Sequence, residues 1–203
     1  MRFVSTVTMI VCCLSVMAQT RSVKTPDFAY PKTVSANARK SLDKAMHAGD
    51  TQGILRSLID YTLAQGSTGT ANLPGCIALI DSVGNAASPG DDAVLRGMLP
   101  MLKAVIYNNV YSGQRWKYDG RTSVSLLPLP EDYTEWSGEQ FRHRIAGLID
   151  IALADSVALR AIPLKNYTGV ITQDRMTAVY YPTLYHFVAR QAIDILQGFG
   201  AVP

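Results

Sequence analysis

The sequence predicts an all-α fold built from antiparallel helical hairpins in a TPR-like array, interrupted by two long loops. Three observations predict it. Apolar residues recur at three- and four-residue spacing in six separate stretches, the pattern of one buried helical face. Glycine or the capping residues Ser, Asp and Asn punctuate these stretches. The chain offers no sheet, at most a short strand near residues 122–126. Consecutive helices joined by short turns pack antiparallel, which gives hairpins. The tetratricopeptide period and its signature residues are absent, so the likeness is one of architecture.

Residues 1–18 read as a secretory signal peptide. Arg2 is followed by an apolar run from Phe3 to Val16 that is short for a bilayer span, and Val16-Met17-Ala18 offers a cleavage site before Gln19. Cys12 and Cys13 lack the small-residue box of a lipoprotein. Cleavage leaves Cys76 as the one cysteine of the original three, so the mature chain has no internal disulfide and must rest on its apolar core. The remaining ~185 residues suffice for one domain. Loss of Arg2 lowers the formal charge from +3 to +2. Basic residues are scattered without an aromatic-basic stripe, so nucleic acid is not an expected partner, and no later segment is long enough to span a membrane. The expected location is the periplasm or cell envelope.

Residues 19–31 are polar, contain Pro26 and Pro31, and read as an extended lead-in to a single helical domain over residues 32–203. The first helix covers 33–48, with Val34, Ala38, Leu42, Ala45 and Met46 on one face. Gly49-Asp50 ends it, and Asp50 or Thr51 caps a second helix carrying Ile54, Leu55, Leu58, Ile59 and Leu63. After the small-residue turn 66–70, a third helix follows Asn72 with Leu73, Ile77, Ile80 and Val83 inward. Ser88-Pro89 offers a cap for the fourth helix, whose stripe runs Val94, Leu95, Met98, Leu99, Leu102, Val105, Ile106, Val110. Pro100 lies inside that stripe and should kink the helix, since the pattern keeps its phase on both sides. Residues 112–136 form the first long loop. A capping box, Ser137 with Gln140, opens a fifth helix with Phe141, Ile145, Leu148, Ile149, Ala152 and Leu153 inward. Residues 163–181 form the second long connection. Pro182-Thr183 then opens a sixth helix bearing Leu184, Phe187, Val188, Ala192, Ile195 and Leu196.

No catalytic constellation stands out, and the sequence points to a non-enzymatic interaction or scaffold module without cofactor or metal. His186 shares its helix face with Arg190 and Asp194, a charged solvent face rather than a cation site. Ser41-Leu42-Asp43-Lys44 matches Ser-x-x-Lys, but the companion elements and the sheet that such a serine needs are missing. Ser137-Gly138-Glu139-Gln140 is similar to the Cys-Gly-Glu-Gln of thioester proteins with serine for cysteine. A hydroxyl does not form that activated acyl bond readily, so the helix cap accounts for these residues. Cys76 falls among Leu73, Ile77 and Ile80 and reads as a buried, inert thiol. An enzyme acting through Glu135, Glu139 and His143 is the weakest reading, because acid-base work requires convergence in a pocket. The aromatic residues of the first loop are the candidate protein-contact residues: Trp116, Tyr118, Tyr133 and Trp136. Tyr and Trp are usual anchors of binding surfaces, and they also pin long loops to a helical body, the reading placed first.

A family resemblance enters through Ile106-Tyr107, Arg115-Trp116-Lys117-Tyr118, Asp132-Tyr133-Thr134-Glu135-Trp136-Ser137 and Phe141. Tyr30-Pro31-Lys32-Thr33, the paired helices around Leu58 and Leu63, Tyr180-Tyr181-Pro182-Thr183-Leu184-Tyr185 and Ala192-Ile193-Asp194-Ile195-Leu196 extend it over nearly the whole mature chain. Together they resemble the N-terminal helical region of alpha-2-macroglobulin-like proteins of Bacteroidetes-type bacteria. The resemblance implies an envelope protein whose full-length form traps or inhibits proteases. That activity belongs to β-rich macroglobulin domains, a bait segment and sometimes a thioester, none of them within these residues, so no inhibitory residue carries over. The expected partners are downstream macroglobulin domains or another envelope protein. The alternative is a free-standing periplasmic helical adaptor that binds a peptide or partner protein between its hairpins.

Overall fold

The computed structural model describes residues 30–69, 72–86, 92–122, 125–171 and 175–200. The signal-peptide segment, the lead-in up to residue 29 and Ser88-Pro89 lie outside these. The described residues form α1 (Pro31–Ala48), α2 (Thr51–Ser67), α3 (Leu73–Ala86), α4 (Ala93–Gly113), α5 (Arg115–Asp119), α6 (Gly138–Leu153), α7 (Ser156–Ala161), α8 (Arg175–Tyr180) and α9 (Leu184–Phe199). One-turn 3-10 helices occupy Tyr133–Glu135 and Leu164–Tyr167. The architecture is all-helical, with antiparallel packing of α1 on α2 and of α4 on α6, and no sheet among the described residues.

Local chemistry sets the helix boundaries. Tyr30 takes the N-cap of α1 and Pro31 the first helical position, so Pro31 belongs to the helix rather than to the lead-in. Proline suits that place because its missing N–H has no partner there in any helix. Gly49 closes α1 with φ +64°, its N–H and that of Asp50 returning to Met46 and Ala45 carbonyls. A side chain at that φ would be strained, and the left-handed residue turns the chain directly into α2. Asp50 caps α2 by accepting from Gly53 N–H. The cap of α4 is Asp92, whose Oδ1 accepts from Val94 and Leu95 N–H at 2.9 and 3.3 Å. The expected Ser88 cap therefore gives way to a carboxylate, which also favours the positive end of the helix dipole.

Helix α4 is the axis of the core. Met101 and Ala104 are fully buried on it, and α2, α3, α5, α6, α7 and α9 all pack against it. Pro100 lies within it, and the helix continues for three further turns to Gly113. Gly97 lets α6 and α7 come close: a Cβ there would stand 3.1 Å from both Leu159 methyls and 3.2 Å from the Ala152 carbonyl.

Both long loops are more ordered than expected. Residues 112–113 belong to α4, and α5 and a 3-10 turn lie near the two ends of residues 114–136. Thr122, Ser125 and Leu126, the described part of the expected strand, have no strand conformation. The second connection is closed at its base. Leu164 N–H bonds Pro182 carbonyl at 3.0 Å and Leu184 N–H bonds Ile162 carbonyl at 2.9 Å, an isolated antiparallel bridge between Pro163 and Thr183. Leu164 and Ile171 are buried at 1 % exposure and anchor the excursion to the body. The excursion thus leaves the core and returns to it at one place.

Candidate functional site

A cleft of about 550 Å³ lies along α4. Leu95, Arg96, Gly97, Leu99, Pro100 and Lys103 line it from that helix and Asp92 from its N-cap. The spacing of Asp92, Leu95, Arg96, Leu99, Pro100 and Lys103 puts these six on one side of the helix. Ile80, Asp81, Gly84 and Asn85 of α3 form one wall, and Ile151 and Ala152 of α6 with Ala154 and Asp155 of the α6–α7 corner form the other. Leu95, Leu99, Ile80 and Ala152 are buried and make the cleft apolar at depth.

Two ion pairs border the cleft. Lys103 Nζ reaches Asp81 Oδ1 at 2.6 Å, tying α4 to α3, and Arg96 Nη2 reaches Asp155 Oδ2 at 2.5 Å, tying α4 to the α6–α7 corner. The Arg96 guanidinium and the Ala158 N–H hold the Asp155 carboxyl below its ordinary range. Asp92 accepts from the Thr51 hydroxyl in addition to capping α4. Each carboxylate at the cleft is thus engaged with a cation, an N–H or a hydroxyl. Among the described lining residues there is no His, Cys or Ser, the usual nucleophiles and bases.

The four aromatic candidates lie elsewhere, and three of them are interior. Phe141 is fully buried at the start of α6, with Tyr118 4.6 Å, Trp136 5.1 Å and Tyr133 6.4 Å away between ring centroids. Tyr107 and Tyr111 of α4 complete the cluster at 6.4 and 5.8 Å. Trp136 donates its indole N–H to the Pro130 carbonyl at 2.7 Å, and Arg121 donates to the Thr134 and Trp136 carbonyls. Burial pushes the Tyr133 phenol up to about 12, with the nearby Tyr118 and Asp132 adding to it. These side chains hold residues 114–136 onto α4 and α6. Trp116 is the exception, 82 % exposed on the one-turn α5.

The Ser137–Gln140 motif is a complete capping box. Ser137 N–H donates to Gln140 Oε1 at 2.9 Å, and Gln140 N–H donates to Ser137 Oγ at 3.2 Å. The Gln140 amide also donates to the Ser125 carbonyl at 2.9 Å. Beside it, Asp119 accepts from Tyr111 hydroxyl at 2.8 Å, Arg115 Nε at 2.9 Å and Arg142 Nη1 at 3.0 Å. Partial burial pushes the Asp119 carboxyl up, but these three donors outweigh it and hold the group below its ordinary value.

The remaining titratable candidates do not converge. Glu135, Glu139 and His143 are all exposed and none lines the cleft. His186 Nδ1 pairs with Thr183 hydroxyl at 2.7 Å, and Arg190 pairs with Asp194 at 2.8 Å. No group of three or more His, Cys, Asp or Glu residues able to hold a metal ion occurs among the described residues. No described helix is long and apolar enough to cross a membrane. Cys76 is buried at 1 % exposure, and burial pushes its thiol up to about 11. Sequence reasoning missed the cleft, although Pro100, read there as a kink, lines it together with Gly84. No family model, curated protein or solved structure matches the chain.

Proposed function

We propose that the chain is a non-catalytic helical interaction domain of an exported envelope protein of alpha-2-macroglobulin-like type. The observation that carries this reading is the position of the aromatic residues. Tyr118, Tyr133 and Trp136 are buried around Phe141, so the residues best suited to grip a ligand hold the domain's own loop instead. The macroglobulin-like parentage rests on the sequence resemblance, and protease inhibition would belong to other domains of such a parent. The cleft along α4 favours a second reading, a free-standing periplasmic adaptor for a partner protein.

Immunoblotting of fractionated cells with antibody raised against residues 19–203 separates the readings. A band in the envelope fraction far heavier than this chain supports the domain of a larger protein. An exported band at the mass of the mature chain favours the adaptor. A purely cytoplasmic band would overturn both.

A further inference from the structure

A second cavity, of about 330 Å³, lies between α1 and α2 and shares no lining residue with the cleft along α4. Val34, Asn37, Ala38 and Ser41 line it from α1, and their spacing of three, four and seven puts them on one side of that helix. Arg56, Ser57 and Asp60 line it from α2. Its volume is at the small end of the range for small-molecule sites.

Ser57 is the informative residue. It is 4 % exposed, and its hydroxyl has no hydrogen-bond partner among the described residues. A buried hydroxyl left unpaired is unfavourable. Thr62 carries another such hydroxyl, but that one is sealed in the core, whereas Ser57 lines the cavity. From α1, Asn37 and Ser41 bring an amide and a second hydroxyl, both exposed and both without a side-chain hydrogen bond to a described residue.

The charges of the site are already engaged. Arg56 Nε donates to Asp60 Oδ2 at 3.2 Å, and Arg56 Nη1 donates to the Gly169 carbonyl at 2.6 Å. Burial pushes the Asp60 carboxyl up more than Arg56 pulls it down, so the surroundings disfavour net charge. An anion or an ammonium ion would have to displace one member of this pair. The groups left to bind with are two hydroxyls and an amide, which both donate and accept, and Asp60 Oδ1 as a further acceptor. Their complement is a set of hydroxyls, which also do both. Val34 and Ala38 supply a small apolar surface for the carbon skeleton that carries them.

We propose that this cavity binds a neutral polyol of monosaccharide size, whose hydroxyls on adjacent carbons bond to Ser57, Ser41 and Asn37. Asp60 Oδ1 accepts from one of them. The site is independent of the interaction-domain reading, and neither falls with the other.

The test is saturation-transfer difference NMR of the chain with D-glucose, myo-inositol and sorbitol. Acetate and methylammonium serve as charged controls and tert-butanol as an apolar one. The expected result is a saturable signal from at least one polyol and none from the controls. Ser57→Ala removes the buried hydroxyl and should weaken binding about fivefold, the worth of one hydrogen bond. Ser41→Trp, at an exposed position, fills the cavity and should abolish the signal. Circular dichroism establishes that each variant folds, and Asn37→Ala, also exposed, takes the place of Ser57→Ala if that variant does not. Absence of a polyol signal, or a signal unchanged in the folded variants, overturns the proposal. So does binding of acetate or methylammonium in preference to the polyols, which would mark an ion site, or of tert-butanol, which would mark an apolar one.

Discussion

Gly138→Ala should destabilise the domain even though alanine is the better helix former. Gly138 is the first residue of α6, and a Cβ there would stand 2.0 Å from Asp119 Oδ1. The carboxylate has to retreat by about 1 Å or more to restore an ordinary contact of at least ~3 Å. It is fixed by Tyr111, Arg115 and Arg142 at 2.8, 2.9 and 3.0 Å, so any retreat stretches bonds that tie α4, α5 and α6 together. Hydrogen bonds to a charged group contribute up to ~3 kcal/mol each when sheltered. Asp119 is 36 % exposed, and screening brings each nearer ~0.5–1 kcal/mol, or ~1.5–3 kcal/mol for three. The helix-propensity gain from glycine to alanine is at most ~1 kcal/mol. The net expectation is a loss of ~1–2 kcal/mol, measured by urea denaturation followed by circular dichroism. A double-mutant cycle isolates the cause. On an Asp119→Ala background the obstruction is gone, so Gly138→Ala should be neutral or stabilising there. A Gly138→Ala variant as stable as the parent, or one equally costly in both backgrounds, would refute the argument.

Three further outcomes follow from the same interior. Cys76 should resist alkylation at neutral pH in the native chain and react fully in denaturant, because burial holds its thiol up to about 11 and closes access to it. Fast native labelling would contradict its place in the core. Asp119, held below its ordinary value, contributes stability that is fully present above the unfolded carboxylate value near ~3.9 and is lost as pH falls through its folded value. Urea midpoints should therefore drop with acid across that interval for the parent and drop less for Asp119→Asn. Trp136→Ala should cost ~3–5 kcal/mol, since the ring is 4 % exposed against Phe141, whereas Trp116→Ala at 82 % exposure should stay within ~0.5 kcal/mol. Similar losses for the two would mean that α5 is not where the structure puts it.

What the sequence made legible was whatever depends on local spacing. The stripes of α1 to α4, α6 and α9 stand where apolar periodicity predicts them, except that Leu196, expected inward on α9, is 42 % exposed because it falls at the edge of the buried face of Leu184, Val188, Ala192 and Ile195. The Ser137–Gln140 box is readable because its four residues satisfy one another within a single turn. The short helices α5, α7 and α8 were not legible, because one or two turns contain too few residues to express a period of 3.6. The gathering of α2, α3, α6, α7 and α9 around α4 was also hidden, since it is decided by contacts between residues far apart in sequence. Of the four aromatic candidates, Trp116 and Tyr118 are two residues apart on α5, so the same helical turn sends one to solvent and the other to Phe141. No composition argument separates such a pair.

The cleft is the clearest case of this division. Leu95 and Leu99 read as core, and they are core; the charged residues beside them, Asp81, Lys103 and Asp155, carry no pattern in the sequence. The residues that complete the lining are partly small ones, Gly84 on one wall and Ala152 and Ala154 on the other. A void is produced by side chains that are not there, so it leaves no apolar period to detect. Pro100 is the partial exception. It has no N–H to give the helix ladder, and it sits on the side of α4 that lines the cleft. A proline that keeps an apolar stripe in phase, with a glycine such as Gly84 beside it on one neighbouring helix, thus marks a groove here and not only a kink.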